Sequence, residues 1–250
     1  MLKVAMSYLK QLFLIRIRLS TYFWAFFALY FTLSYVIPGY KFESGSLTLF
    51  SVNSFLYGFY ISPILAAQKA RIDSLHQIIR AEANAMFSLM LDIKKLPKHL
   101  RTELQSMIML YMHAKLRQKG INGGEKQYEA LITYCVDYKG QDTDKVDAVL
   151  ADLVANQKNR TDFNMQAANK VYANEWQIMA ILFGITLGFV MTLSVDDDSL
   201  ILHVVRALLC TGLTMLVVIL VKLNSLTHKR AKLMWRPLEK LVQSNFYQID

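Results

Sequence analysis

Four long apolar stretches constrain this chain more than any other feature. They cover residues 19–38, 47–67, 176–195 and 199–221, and the first three contain no charged residue. A helix needs about 20 apolar residues to cross the roughly 30 Å hydrocarbon core of a bilayer. Helices satisfy their own backbone hydrogen bonds in lipid, and none of these stretches alternates with the period of two that a membrane strand requires. The sequence therefore predicts an all-α membrane protein with four transmembrane helices, bound in a lipid bilayer.

Charged residues are distributed unevenly around these stretches. The chain has 28 Lys and Arg against 19 Asp and Glu, which gives a net charge of +9. The loop after the third stretch reads Asp196-Asp197-Asp198, whereas six basic residues follow the fourth: Lys222, Lys229, Arg230, Lys232, Arg236 and Lys240. Because basic residues favour the cytoplasmic side, we expect a multi-pass protein of the bacterial inner membrane with both termini in the cytoplasm. This topology explains the net charge, and nucleic acid is not an expected partner.

A long segment, residues 68–175, separates the second and third spans. Apolar residues at helical spacing predict that the second span continues as a helix to about residue 95, followed by helices at 98–119, about 125–137 and about 143–157. Residues 160–175 are expected to join the third span as one long helix. The predicted regions are residues 1–67 with spans one and two, 68–175 as a helical cytoplasmic layer, 176–221 with spans three and four, and 222–250 as a basic cytoplasmic tail.

The two ends of the chain give further expectations. The first span is too long for a signal peptide and no small-residue cleavage site follows it, so we expect it to be retained. In the tail, Trp235-Arg236-Pro237 lies among basic residues. This combination favours an interfacial segment on anionic lipid, with a contact to a neighbouring subunit as the alternative.

Motifs for catalysis or metal binding do not occur in the sequence. The five histidines and two cysteines show no zinc-binding spacing, and there is no phosphate-binding loop or nucleophile elbow. Asp196–Asp198 is expected to be a solvated loop, because three consecutive side chains cannot converge on a cation from a helix. We therefore expect no enzyme, no catalytic residue, no metal and no cofactor, with Cys135 and Cys210 as free thiols.

Two polar residues, His203 and Arg206, interrupt the fourth span. A charge within a span is costly and is a functional hypothesis by default. Arg206 lies about 10 Å along the helix from Ser199, so its side chain either snorkels or pairs towards Asp196–Asp198, or takes part in ion passage. His203 lies one turn away on nearly the same face, which favours a wet surface over lipid.

The second span is also unusually polar. It contains small and polar residues at five positions: Asn53, Ser54, Gly58, Ser62 and Pro63. Such residues are typical of close helix packing, but the same helix is suited to lining a pore. The predicted pore lining consists of Asn53, Phe55, Phe59, Ser62 and Ala66, the last four of which share one helical stripe. Aromatic rings at such positions form a hydrophobic constriction that gates by dewetting.

Two motifs follow the second span, Ile64-Leu65-Ala66-Ala67-Gln68-Lys69-Ala70-Arg71-Ile72-Asp73 and Arg80-Ala81-Glu82-Ala83-Asn84-Ala85. A break at Leu96-Pro97, a helix containing Tyr111 and two closing spans come after them. This pattern resembles the bestrophin-like domain family of bacteria and plants and, more distantly, the bestrophin anion channels. The residues that carry the resemblance are Asp73, Glu82 and Asn84.

The resemblance implies a homo-oligomer, pentameric in true bestrophins, whose second-span helices line a central pore and conduct inorganic ions passively. A slight basic excess in the cytoplasmic layer favours anions weakly, by raising their local concentration. The alternative is a membrane-anchored interaction or effector protein whose cytoplasmic layer binds a partner. Its methionines could supply an adaptable surface, although such methionines are more often part of the core; they are Met86, Met90, Met107, Met109 and Met112.

Overall fold

The computed structural model describes residues 17–193 and 199–244, and their regular structure is helical. These residues form nine helices: α1 (Leu19–Val36), α2 (Ser44–Lys94), α3 (Lys98–Gln118), α4 (Glu125–Asp137), α5 (Thr143–Ala168), α6 (Ala173–Thr192), α7 (Leu200–Asn224), α8 (Lys229–Leu233) and α9 (Arg236–Gln243). Helices α1, α2, α6 and α7 include the four stretches that are long and apolar enough to cross a membrane. The predicted all-helical class and its four long apolar helices are confirmed.

Helix α2 is one continuous helix of 51 residues. It contains Pro63, which has no N–H to donate to the preceding turn, yet helical structure continues on both sides. The helix ends at Lys94, close to Leu96-Pro97, because the residue before a proline disfavours the α conformation. The predicted continuation of the second span to about residue 95 is therefore confirmed.

The junction before the third span differs from the prediction. Helix α5 continues to Ala168 and α6 begins only at Ala173, so the predicted continuous helix from residue 160 into the third span is wrong. At the new helix start, the Glu175 carboxylate accepts a hydrogen bond from the Tyr172 backbone N–H at 2.9 Å. Such a cap provides a hydrogen-bond partner for a backbone group that a helix terminus leaves without one. The spacing of apolar residues does not reveal a cap.

Two compact units divide the described residues. The span unit falls within residues 1–70 and 170–228, and the insert unit falls within residues 71–169 and 229–250. The boundary between the units lies inside α2. Helices α8 and α9 follow the fourth span in the sequence but belong to the insert unit.

The core of the insert unit forms where α2, α3, α4 and α5 contribute apolar stripes. Leu100, Leu104 and Ile108 of α3 are all buried, in agreement with the predicted apolar face of that helix. Burying each such side chain contributes about 1.5–3 kcal/mol to folding. Cys135 lies in this core, and both it and Cys210 are free thiols, as predicted.

The methionines predicted as a binding surface belong to this core. Met86, Met90 and Met112 are at most 1% exposed, and Met107 and Met109 pack against the core partly buried. Their thioethers fill space between helices. Of the two roles that the sequence left open, the structure therefore favours the core role over an adaptable binding surface.

Helices α8 and α9 are docked in the insert unit by their apolar residues. Met234, Trp235 and Leu238 are buried, and the Trp235 ring lies edge-on to Phe163 with centroids 5.5 Å apart. The expectation that Trp235 lies in the lipid interface is wrong, because its ring is 3% exposed. The hydrophobic gain of burying an aromatic ring in the same chain outweighs its placement among lipid headgroups.

Gln105 of α3 is a buried amide that finds no hydrogen-bond partner among the described residues. An unsatisfied buried polar group costs about 1–3 kcal/mol. We expect Gln105→Met to raise the free energy of unfolding by about 1 kcal/mol or more, seen as a higher thermal midpoint by circular dichroism in detergent. Gln141→Met, at an exposed position, is the control and should leave the midpoint unchanged. A lower midpoint for Gln105→Met would contradict the prediction.

Asp152 of α5 is a half-buried carboxyl whose Oδ2 has no hydrogen-bond partner in the described part of the chain. Burial raises the pKa of Asp152, and Asp92 raises it further, whereas Ser88 and Lys95 act in the opposite direction. The folded protein therefore favours the protonated carboxyl. The stability that this group contributes is complete below its unfolded pKa of about 3.9 and is lost as the pH rises through the folded value.

Asp152→Asn should therefore stabilise the protein more at high pH than at low pH. We expect its thermal midpoint to exceed that of the wild type clearly at about pH 8 and only slightly at about pH 4. Asp147→Asn, at an exposed position of the same helix, is the matched control. An equal difference at both pH values would contradict a raised pKa for Asp152 in the folded protein.

Candidate functional site

Helix α2 has a packed face within the span unit. Tyr57 and Ile61 are 2% and 4% exposed and pack in one cluster with Met179 of α6 and Leu220 of α7. Residues four apart lie on the same side of a helix, so this face repeats with each turn. It anchors α2 against two other span helices.

Asn53 lies one turn before Tyr57, on the packed face. Its Nδ2 donates a hydrogen bond to Thr186 Oγ1 at 2.8 Å and a longer one to the Leu182 carbonyl at 3.3 Å. An amide in an apolar span needs such partners, and it finds them on α6. These contacts favour the packing role that the sequence left open for this span, and the pore-lining position of Asn53 stays a prediction.

Another face of α2 carries an exposed groove. Phe55 and Phe59 are 69% and 71% exposed, and their rings stack with centroids 6.0 Å apart. The groove has a volume of about 650 Å³ and is lined by Ser54, Phe55, Gly58, Phe59, Ser62, Pro63 and Ala66. The predicted stripe of Phe55, Phe59, Ser62 and Ala66 thus forms one continuous surface.

Physical properties change along this groove. The two phenylalanine rings make an apolar zone that water wets poorly, and Ser62 and Ala66 follow within two turns. A hydroxyl beside small side chains leaves room for water and offers it a hydrogen bond. Such a surface is suited to controlling the passage of water and ions.

His203 and Arg206 lie at the contact between α1 and α7. His203 Nδ1 is 3.0 Å from Ser34 Oγ, and its ring stacks on Tyr35 with centroids 4.0 Å apart. Nearby in the same pair of helices, the hydroxyls of Tyr30 and Thr214 are 2.7 Å apart. Polar contacts of this kind hold span helices together in lipid.

These contacts correct the expectation of a wet surface on the fourth span. His203 and Arg206 are 5% and 4% exposed, so both face protein. Arg206 Nε has no hydrogen-bond partner among the described residues, and the acidic loop 196–198, expected as its partner, lies outside them. A role of Arg206 in ion passage stays a prediction.

In the insert unit, Glu82 is the centre of a buried charge cluster. Lys115 Nζ lies 2.5 and 2.6 Å from the two carboxylate oxygens of Glu82, and the Tyr111 hydroxyl donates to the same carboxylate. Burial, followed by the negative charge of Glu82, raises the pKa of Tyr111 well above its ordinary value. Tyr111 is therefore a neutral hydrogen-bond donor that joins α2 to α3.

The profile of the bestrophin-like domain matches residues 43–228, about three quarters of the chain. This chain belongs to the bestrophin-like family. The resemblance noted in its sequence is confirmed, and the match extends from the start of α2 to just beyond α7. No curated protein and no solved structure gives a significant match.

The motif residues of this bestrophin-like protein separate into buried and exposed positions. Arg71 is buried, and it donates hydrogen bonds of 2.7 Å to the carbonyls of Gln166 and Ala167 at the end of α5. Asp73 and Asn84 are exposed, unlike Glu82. The first motif thus caps open carbonyls of a helix terminus, and the second contributes a charge to the core.

Sequence reasoning missed the residues that complete the charge cluster. Arg160 of α5 is buried, stacks over the Tyr128 ring at 3.8 Å and pairs with Glu125 of α4. Lys115, the partner of Glu82, was also missed. Its position on the buried side of α3, four residues after Tyr111, was the available signal.

The described residues contain no group of three His, Cys, Asp or Glu side chains that could hold a metal ion. The extended concave surface on α2 lies in the span unit. The chemistry of its lining is apolar and hydroxyl, which suits passage along a surface better than a reaction at a fixed point.

Proposed function

We propose that this bestrophin-like protein is an oligomeric ion channel of the bacterial inner membrane, in which α2 helices from several copies surround a central pore. The groove on α2, with Phe55 and Phe59 exposed, is the observation that carries this proposal. Family membership supports channel-type function. The protein acts in passive transport and is not an enzyme.

Comparison with the other spans supports a special role for this face. The exposed residues of α6 include Ile178, Ile181 and Ile185, which are branched aliphatic side chains suited to lipid. The α2 groove instead alternates aromatic rings with serine, glycine and alanine. A face that only contacts lipid needs neither the groove nor the hydroxyls, whereas a pore wall uses both.

The proposed mechanism follows from bringing several copies of this face together. Rings of Phe55 and Phe59 form an apolar constriction that closes the pore by dewetting and opens when it widens. Ser62 and Ala66 line the wider continuation. By resemblance we expect five copies, and the slight basic excess of the cytoplasmic layer favours anions weakly over cations.

The test combines oligomer mass with electrical recording. The purified full chain is first weighed in detergent and then placed in planar bilayers with asymmetric KCl. We expect an oligomer and unitary currents that reverse near the Nernst potential of chloride. A silent monomer would overturn the proposal, because one copy leaves the groove on its outside.

The alternative function is a membrane-anchored protein whose insert unit binds a partner. Phe87 and Leu91, one turn apart on α2, are 46% and 43% exposed and favour such a contact. Co-purification of a second protein in stoichiometric amount, lost on Phe87→Ser and Leu91→Ser, would support it. Function that survives replacement of the spans by an unrelated anchor would exclude conduction.

A further inference from the structure

The two C-terminal helices sort their side chains into a buried apolar side and an exposed basic side. Buried residues include Ala231, Met234, Trp235 and Leu238. Exposed positions include Lys229, Arg230, Lys232, Arg236 and Lys240, which we call the basic stripe. Docking of the apolar side therefore leaves five basic residues exposed within twelve positions of the chain.

This surface carries little negative charge of its own. Glu239 is the single acidic residue in 229–244. It forms an ion pair of 2.8 Å with Lys119 of α3, a cation outside the basic stripe. Within this segment the five basic residues of the stripe therefore outnumber the acidic ones by five to one.

Chain connectivity keeps the first residue of the stripe close to the end of the fourth span. The fourth span ends with α7 at Asn224, and Lys229 follows five residues later. Five residues reach at most about 18 Å. At the end of the span, Lys222 donates a hydrogen bond of 2.7 Å to the Ile17 carbonyl and lies over the Tyr22 ring. The fourth span therefore ends beside the start of the first.

From these observations we propose that the basic stripe binds the headgroups of anionic phospholipids in the leaflet next to the end of α7. Basic residues directly after a span are attracted to anionic lipid. Because Trp235 and its apolar neighbours are packed inside the insert unit, the contact is electrostatic and does not insert the helices. The inference is separate from conduction, since an anchored channel and an anchored effector would both use it.

The experiment counts lipids bound to the full chain by native mass spectrometry in detergent. Phosphatidylglycerol is the anionic probe and phosphatidylcholine the zwitterionic one. Each Lys or Arg near an anionic surface contributes about fivefold in affinity. The variant Lys229→Gln/Arg236→Gln/Lys240→Gln should therefore lose roughly ten- to hundredfold in phosphatidylglycerol affinity, with a smaller loss at high salt.

A matched variant removes the same charge elsewhere in the insert unit. Lys126, Lys139 and Lys158 are exposed, and Lys126→Gln/Lys139→Gln/Lys158→Gln should bind phosphatidylglycerol like the wild type. Equal losses in both triple variants, equal binding of the two lipids, or an acidic protein retained in place of lipid would each overturn the proposal. The oligomer mass and currents are recorded on the same sample, so failure of the lipid test is distinguishable from failure of the channel.

Discussion

Lys115→Met is expected to destabilise the insert unit by about 3–5 kcal/mol, because it leaves the carboxylate of Glu82 buried without its cation. The two side chains are 4% and 0% exposed, and the ammonium contacts both carboxylate oxygens. Burial lowers the pKa of Lys115, and the negative charge of Glu82 opposes that change. Contact between the two side chains therefore stabilises the charged form of each in a buried environment that disfavours a lone charge.

Controls separate this effect from the loss of any ion pair. Lys145 pairs with Asp142 at 2.7 Å, but its side chain is 54% exposed. Lys145→Met should change stability by less than about 1 kcal/mol, as is usual for surface pairs. Glu82→Gln/Lys115→Met should recover part of the loss, because no lone charge remains buried.

Denaturant unfolding of the full chain in detergent, followed by near-ultraviolet circular dichroism, measures these differences. Equal destabilisation by Lys115→Met and Lys145→Met would contradict the argument. So would a double variant that is less stable than Lys115→Met alone. The first outcome would mean that solvent reaches Glu82. The second would mean that the Glu82 carboxylate keeps a stabilising partner without Lys115, such as the Tyr111 hydroxyl that donates to it.

The buried charge cluster also shows which parts of the site could be predicted from the sequence. Glu82 follows Ile79 by three residues and Lys115 follows Tyr111 by four, so each charge occupies a position expected for a core residue. One acid and one base in the predicted core are best satisfied by each other. The pairing was thus predictable in kind, although the sequence provides no distance and did not indicate that Tyr111 joins it.

The span helices were predictable because lipid imposes a length and a composition on them. The side-chain partners of their polar residues were not predictable. A polar residue in a span indicates that its side chain needs a hydrogen-bond partner, but hydropathy does not show on which helix that partner lies. Asn53 contacts Thr186 and His203 contacts Ser34. For Asn53 the sequence left packing and pore lining open, and for His203 it favoured a wet surface. The start of α6 at Ala173 was not predicted for a similar reason. A helix cap is a local contact, and the spacing of apolar residues does not reveal it.

Phe59→Ala is expected to increase the unitary conductance of the proposed channel about tenfold, which corresponds to a fall of about 1.4 kcal/mol in the barrier. An apolar constriction opposes ions because they lose hydration there, and removing a ring from every copy widens it. Phe59 is 71% exposed in one chain, so the substitution removes little packing within the subunit. Bilayer recording in symmetric KCl measures the change.

Trp24 of α1 provides the matched control, since it is another aromatic side chain, 65% exposed on a different span helix. Trp24→Ala should leave the conductance within about twofold, because a ring that faces lipid contributes nothing to the barrier in a pore. Charge at the constriction sharpens the test further. Phe59→Lys should shift the reversal potential in a KCl gradient towards that of chloride, and Phe59→Asp towards that of potassium, because rings of charge select ions of opposite sign. Opposite shifts require that the residue 59 side chains face the ions themselves. If both variants conduct with the wild-type reversal potential, the groove of α2 faces lipid and the pore lies elsewhere.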